Sequence, residues 1–375
     1  LENALSARAH GAVIATYARV DNLILETGNM ISVVFTDLGT GESHAAQGKI
    51  VINAAGPWID QLLEKTAVGS SRLIGGTKGS HIIVAPFAGA PASALYVEAK
   101  TDHRPFFIIP WNGNYLIGTT DMRYAGDLDH VQIDDQEIDY LLRETNRVIP
   151  SASLTGQQIL YSYAGVRPLP FTDDKDEQSI TRRHFIRQNP GVRNLISVVG
   201  GKLTTYRSLA EQTVDLVFKK LQNSSPKCAT AQVPLPGAAV PDFEAFCKDF
   251  KQSCGLPAAT SNHLLRTYGA RSSVILELVG EDSSLAEVFD IETGAIAAEV
   301  VFAFRDELAQ SLSDCLLRRT MVGLNSACGL NAVDAAARVA QKHLGWHEER
   351  VKQEIGSYRN FVHRFAPKRQ GREMQ

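Results

Sequence analysis

A chain of 375 residues is long enough for two or three domains with a sizeable core, and 44% hydrophobic against 21% charged residues excludes a disordered polymer. A net charge of −3 gives no overall attraction to nucleic acid, so any anion site must come from a local cluster. The five cysteines are odd in number, form no CxxC and begin only at Cys228, which argues against a disulfide framework and a metal site and fits a reducing cytoplasm.

The chain opens on Leu1 rather than Met, which reads as an internal cut in a longer protein. It shows neither a signal-peptide pattern nor an apolar run of membrane-spanning length. Residues 1–10 read as the end of a helix. Residues 12–51 read as β, with strand segments at 13–14, 23–25, 31–35 and 50–52 and turns at Gly28-Asn29 and Gly39-Thr40-Gly41. A strand, the small-residue turn Ala54-Ala55-Gly56 and a helix over 57–65 follow, with Pro57 suited to the first helical position. Segments 81–86 and 105–120 predict a second sheet, with a hairpin turn at Asn112-Gly113-Asn114. Residues 134–149 predict an amphipathic helix with Ile138, Leu141, Leu142, Thr145 and Val148 on one face, capped by Asp134 or Asp135 and ended by Pro150. Next come a strand at 195–199, the Gly200-Gly201 break and a helix over 203–221 with Leu209, Val214, Leu216, Val217 and Leu221 on one side. A Ser/Pro-rich linker spans 223–239, and the remainder reads as helical, for example over 297–319.

Four segments carry chemistry. In Gly200-Gly201-Lys202-Leu203-Thr204, a strand end, a glycine pair and a helix start gather free amides and a lysine, a nest for a flavin C2=O or a phosphate. The plain alternative is a strand-to-helix turn with an exposed lysine. In Gly165-Val166-Arg167-Pro168, the proline holds Arg167 extended and so aims its guanidinium. His81 opens an apolar strand, as a core residue or as a neutral imidazole that takes a proton. Of Arg182 and Arg183, adjacent in an extended stretch, only one can face a site, and a guanidinium fork suits phosphate oxygens. The acidic run 173–177 reads as a solvated loop, and Trp111 and Trp346 as core.

Together and in order, these segments resemble FAD-dependent glycerol-3-phosphate dehydrogenases and the related glycerophosphate oxidases. The matching stretches include Ile52-Asn53-Ala54-Ala55-Gly56-Pro57-Trp58, Lys78-Gly79-Ser80-His81, Ile117-Gly118-Thr119-Thr120-Asp121, Gly165-Val166-Arg167-Pro168-Leu169, Ser179-Ile180-Thr181-Arg182 and Gly200-Gly201-Lys202-Leu203-Thr204-Thr205-Tyr206. Arg266-Thr267-Tyr268-Gly269 and Leu317-Arg318-Arg319-Thr320 look like the family's C-terminal domain. The family's opening GxGxxG turn for the FAD pyrophosphate has no counterpart, because Gly75-Gly76-Thr77-Lys78-Gly79 leads into a strand. By that resemblance roughly the first 150 residues of a full enzyme are absent, which puts tight FAD binding by this chain in doubt.

The resemblance implies an α/β (α+β) fold. It consists of an incomplete FAD-binding domain of the glutathione-reductase-like or DAO type over 1–77 and 164–222, an inserted antiparallel substrate sheet over 78–163, the linker, and a C-terminal helical domain over 240–375. It implies oxidation of sn-glycerol 3-phosphate to dihydroxyacetone phosphate, with quinone or oxygen as acceptor. His81 is expected as base, Arg182 as phosphate anchor and Arg167 as the cation steadying the alkoxide. Lys202 is expected to assist catalysis and substrate binding. Ala55, Gly56, Trp58, Gly165, Gly200, Gly201, Lys202, Leu203 and Thr204 are expected to hold the cofactor. A cytoplasmic protein is expected, with room for peripheral contact with the inner face of the cell membrane and for a homodimer. The basic stretch 364–372 is read as a solvated end. A catalytically silent anion-binding fragment and a related flavin amino-acid oxidase are the competing readings. The set of His81, Arg182 and Lys202 argues against the oxidase, because an amino-acid carboxylate needs less positive charge.

Overall fold

A computed structural model describes residues 1–26, 28–65, 72–172, 180–189 and 191–366. The acidic run 173–177, Ser179 and most of the basic stretch 364–372 lie outside the described residues. Helix α1 (Glu2–Ala9) precedes a meander of β1 (Ala18–Glu26), β2 (Asn29–Asp37) and β3 (Ser43–Ala46), paired in that order. Val13 and Ile14 form no strand: Val13 stands almost fully in solvent, so its apolar side chain has no sheet to join. Strand β4 (Val51–Asn53) leads through a 3-10 turn at Gly56–Trp58 into α2 (Ile59–Glu64).

The main sheet holds β5 (Thr77–Val84), β6 (Leu95–Glu98), β7 (Pro105–Trp111), β8 (Asn114–Gly118), β9 (Met122–Arg123) and β10 (Ile159–Arg167). Its order is β10-β5-β8-β7-β6, with β9 also on β5, all antiparallel. The β7–β8 turn uses positive φ at Asn112 (47°) and Gly113 (79°), which matches the twist of the flanking strands. Strand period 2 gives β5 two different faces. Lys78, Ser80, Ile82 and Val84 turn towards α3 (Asp135–Val148), whose Ile138, Leu141 and Leu142 bury against Ile82, Phe106, Ile108 and Ile117. Asp134 caps α3 in a reciprocal box with Glu137: Glu137 N donates to Asp134 Oδ1 at 3.0 Å and Asp134 N to Glu137 Oε2 at 3.1 Å.

The opposite face, with Ile83, Leu116 and Tyr161, packs against the C-terminal helices. A third sheet has the order β11 (His184–Gln188), β12 (Leu195–Gly200), β4, with β4 parallel to β12. Helix α4 (Tyr206–Lys220) follows β12 through a 3-10 turn at Leu203–Thr205. It forms where the pattern predicts, but its apolar side is not a core face: Thr213 is its only buried residue and Val214 is exposed.

The helical region comprises α5 (Phe243–Ser253), α6 (Ala258–Tyr268), α7 (Ser272–Glu281), a small hairpin of β13 (Val288–Asp290) and β14 (Ala295–Ile296), α8 (Ala297–Arg305), α9 (Leu312–Arg318), α10 (Val333–Leu344) and α11 (Glu348–Val362). The helix predicted over 297–319 breaks between α8 and α9. There Ser311 begins a new N-cap, accepting from Asp314 N at 3.2 Å. Tyr161 Oη donates to Leu324 O at 3.0 Å and ties the main sheet to this region.

Candidate active site

Register builds the first part of the site. Phe107 of β7, Gly118 of β8, His81 of β5 and Tyr163 of β10 are direct neighbours in one row across the main sheet. His81 is the one residue of β5 that is not fully buried. A Cβ at Gly118 would overlap the His81 ring and come within 2.9 Å of Ser80 O, so glycine is what lets the imidazole lie down on the sheet. Tyr163 stacks on the ring's other side. His81 Nδ1 is buried without a hydrogen-bond partner, which leaves Nε2 as the ring nitrogen open to an incoming group. Burial, and secondarily the Arg167 charge, lower the His81 pKa to about 4, so the imidazole is neutral at physiological pH.

Two strand positions further along β10 lies Gly165, and two beyond it Arg167. The Arg167 guanidinium lies over Gly79, where any Cβ would collide with it. Its Nη1 donates to Asp121 Oδ1 at 3.0 Å, and its Nη2 donates to Thr119 Oγ1 at 2.8 Å and Thr120 O at 3.1 Å. Arg182 Nη2 reaches the same carboxylate, donating to Asp121 Oδ2 at 3.2 Å. Arg104 donates to the Asp121 backbone carbonyl. Burial lowers the Arg167 pKa; Asp121 opposes that shift, and the charges of Arg182 and Arg104 add to it.

On the α3 side of β5, a buried polar bracket holds the same loop. Glu137 accepts from Ser80 Oγ at 2.8 Å and Thr120 Oγ1 at 2.6 Å, and its Oε2 lies 2.7 Å from Lys78 Nζ. Burial pushes the Lys78 pKa down, but Glu137 and Asp134 more than offset this and hold it up.

The second part of the site lies at the carboxyl ends of β4 and β12, the usual place for a ligand crevice in a parallel pair. Asn53 Oδ1 accepts from Ala55 N at 3.2 Å and shapes the turn into Gly56 and Trp58, which touches both β10 and β12. Gly200 and Gly201 take φ of +75° and +100°, open to glycine and strained for other residues. Gly200 packs against Pro170 and the Arg183 carbonyl, so this turn adjoins the segments carrying Arg167 and Arg182. Lys202, Leu203 and Thr204 stand exposed at the helix start, Leu203 at 88%. Around Gly56 and Gly165 an added Cβ would meet nothing within 4 Å. The open space around Gly56 and Gly165 and the exposed helix start with its lysine are compatible with the ring end of FAD.

His81, Arg167 and Arg182 are thus brought together, the arginines on one carboxylate and His81 beside Arg167. Among the described residues Lys202 shares no hydrogen bond with them; its neighbour Gly200 adjoins Pro170 and Arg183. Asp121, Arg104 and Glu137 were not singled out from the sequence. Asp121 lies inside the quoted Gly118-Thr119-Thr120-Asp121 stretch, but a single aspartate gives no local pattern. Arg104 and Glu137 become visible only when three strands and a helix are assembled.

Comparison with known proteins matches residues 1–216 to the family of FAD-dependent oxidoreductases and residues 228–351 to the C-terminal domain of alpha-glycerophosphate oxidase. A glycerol-3-phosphate dehydrogenase of Synechocystis sp. is 45% identical over 96% of this chain and 68% of its own length. The aerobic glycerol-3-phosphate dehydrogenase of Escherichia coli is 34% identical over 94% of this chain and 69% of its own length. The crystal structure of glycerol-3-phosphate dehydrogenase from Bacillus halodurans complexed with FAD superposes with a TM-score of 0.84 at 29% identity, covering 97% of this chain and 72% of that one. The chain belongs to the glycerol-3-phosphate dehydrogenase family of FAD-dependent oxidoreductases, with the DAO-type fold and the helical C-terminal domain of that family.

Proposed function

We propose that this protein oxidises sn-glycerol 3-phosphate to dihydroxyacetone phosphate. FAD, when bound, supplies the hydride acceptor at its N5. The chain's own residues supply the rest. Arg182 takes the phosphate, because its guanidinium is half exposed and offers a fork to dianion oxygens. His81 Nε2 takes the proton of the C2 hydroxyl, since a neutral imidazole with an open lone pair can accept it. Arg167 keeps its proton and steadies the oxygen while negative charge develops there. Lys202 and the amides of residues 201–204 would hold the cofactor's N1–C2=O edge, where reduction places charge. Ala55, Gly56, Trp58, Gly165 and Gly200 would line the cofactor's ring end. Electrons pass on to a quinone through peripheral contact with the inner membrane surface; no described helix is long and apolar enough to cross a membrane.

The observation that carries this reading is the convergence of Arg167 and Arg182 on Asp121 beside a neutral, half-buried histidine. The test is turnover of the FAD-loaded enzyme with glycerol 3-phosphate and a quinone analogue, assayed for dihydroxyacetone phosphate. Comparable turnover of unphosphorylated glycerol, or of an amino acid in place of the phosphate ester, would overturn it.

A further inference from the structure

Asp121 has no place in the chemistry above, yet both site arginines end on it. Its side chain is 11% exposed, and it receives Arg167 on one oxygen and Arg182 on the other. The two contacts are unequal. Arg167 is held at three further points, by Thr119, Thr120 and the glycine floor at Gly79, and is 26% exposed. Arg182 is 52% exposed and reaches Asp121 through one nitrogen at 3.2 Å. Arg104 donates to the Asp121 backbone carbonyl and so anchors the main chain that carries the carboxylate.

From this we infer that Asp121 is an internal competitor anion that makes the site selective for dianions such as a phosphomonoester over monoanions. The inference rests on the assignment of Arg182 to the phosphate. An incoming anion must draw Arg182 off Asp121, which stays with Arg167. A monoanion only replaces one single negative charge by another and gains little. A dianion brings a second charge and a third oxygen, so the exchange is favourable. Without the carboxylate the two guanidinium groups would face each other uncompensated, and any small anion would be attracted. The same carboxylate moderates the Arg167 charge beside His81, so it tunes the base as well as the anchor. Asp121 is therefore a positioning and specificity residue, acting through the arginines.

The test is calorimetric titration of the full chain with inorganic phosphate near pH 8, where it is a dianion, and separately with formate, a monoanion. The wild-type chain is expected to prefer phosphate by tenfold or more. In Asp121→Asn, formate affinity should rise and the phosphate-to-formate ratio should fall about tenfold, and Asp121→Glu should restore most of the ratio. An unchanged ratio in a folded Asp121→Asn protein overturns the inference and leaves the phosphate assignment standing. Should Asp121→Asn fail to fold, Arg182→Gln decides. It must lose phosphate binding tenfold or more without gaining formate binding; a gain in formate binding overturns the inference alone, and unaltered phosphate affinity overturns both the inference and the assignment of Arg182 to the phosphate. Absence of phosphate binding to the wild-type chain overturns both the inference and the function it rests on.

Discussion

The phenol ring of Tyr163 lies stacked on the imidazole of His81, with centroids 4.9 Å apart and planes 16° from parallel. Tyr163 closes one side of the histidine, Gly118 closes the other, and burial accounts for most of the pKa drop to about 4. An unfolded histidine takes its proton near 6.5. Between those values the unfolded chain binds more protons than the folded one. Stability is thus unaffected above pH 6.5 and falls as the pH drops towards 4, by roughly 3 kcal/mol in full. Denaturant melts near pH 7 and pH 5 should show this acid loss in the wild type and a smaller one in His81→Gln. Replacing Tyr163 by Ala should admit water and move the NMR midpoint of His81 up towards 6.5. A midpoint that stays near 4 would mean that Tyr163 is not what desolvates the ring.

Two glycines of the main sheet make separable predictions. At Gly79 the three atoms nearest an added methyl all belong to the Arg167 guanidinium, a side-chain end that can be displaced only by giving up its bonds to Asp121, Thr119 and Thr120. Gly79→Ala should therefore cost about 1 kcal/mol of stability, less than a backbone clash does, while turnover drops tenfold or more because Arg167 leaves Asp121 and Thr119. At Gly118 the methyl would meet the His81 ring and the Ser80 carbonyl, and backbone does not move aside cheaply. Gly118→Ala should lower both turnover and stability, the latter by about 2 kcal/mol or more. Thermal melts beside turnover of the FAD-loaded enzyme check this; equal stability losses in the two variants would contradict the geometry.

Much of this architecture is legible along the sequence because it is local. The 3.6-residue spacing of Ile138, Leu141, Leu142 and Thr145, the Asp134 cap, the Asn112-Gly113 turn and the Gly200-Gly201 break each sit within one element and recur in the structure. What the sequence hides is set by pairing across elements. Val13-Ile14 has the composition of a strand but no partner, and β3 pairs with β2 through Ser43 to Ala46, which carry no strand-like composition. In the site, Arg167 and Arg182 are legible through Pro168 and the family pattern. Their meeting on Asp121 depends on β5, β8 and β10 lying side by side, a non-local fact.

The bracket around Glu137 predicts a thermodynamic effect on the site's foundation. Glu137 is 1% and Lys78 9% exposed at the side chain, 2.7 Å apart. Glu137→Ala leaves a buried ammonium with the Asp134 carboxylate and the Gln132 carbonyl, each 3.1 Å away, and two hydroxyls without their acceptor. The expected loss is about 3 kcal/mol, at the lower end for a broken buried pair because Asp134 remains. Replacing both Lys78 and Glu137 by Met should recover part of that loss, since no unpaired charge stays behind. Urea denaturation of the two variants settles it: a double variant less stable than Glu137→Ala would show that the hydroxyl contacts of Ser80 and Thr120, not the ion pair, dominate.

Arg167 and Arg182 share one carboxylate but should fail differently when removed. Arg182 touches the protein only lightly, so its guanidinium serves the bound phosphate in the ground state and the transition state alike. Arg182→Ala in the FAD-loaded enzyme should raise KM by tenfold or more with kcat little changed, the signature of lost uniform binding. Arg167 is locked by Asp121, Thr119 and Thr120 beside His81, where charge develops only as the C2 proton leaves. Arg167→Ala should therefore lower kcat about a hundredfold, with a smaller change in KM, because its contribution grows in the transition state. Steady-state kinetics over a range of glycerol 3-phosphate concentrations separates the two. A reversed pattern, with KM carried by Arg167 and kcat by Arg182, would exchange the roles of the two arginines and place the phosphate in the deeper, more enclosed half of the site.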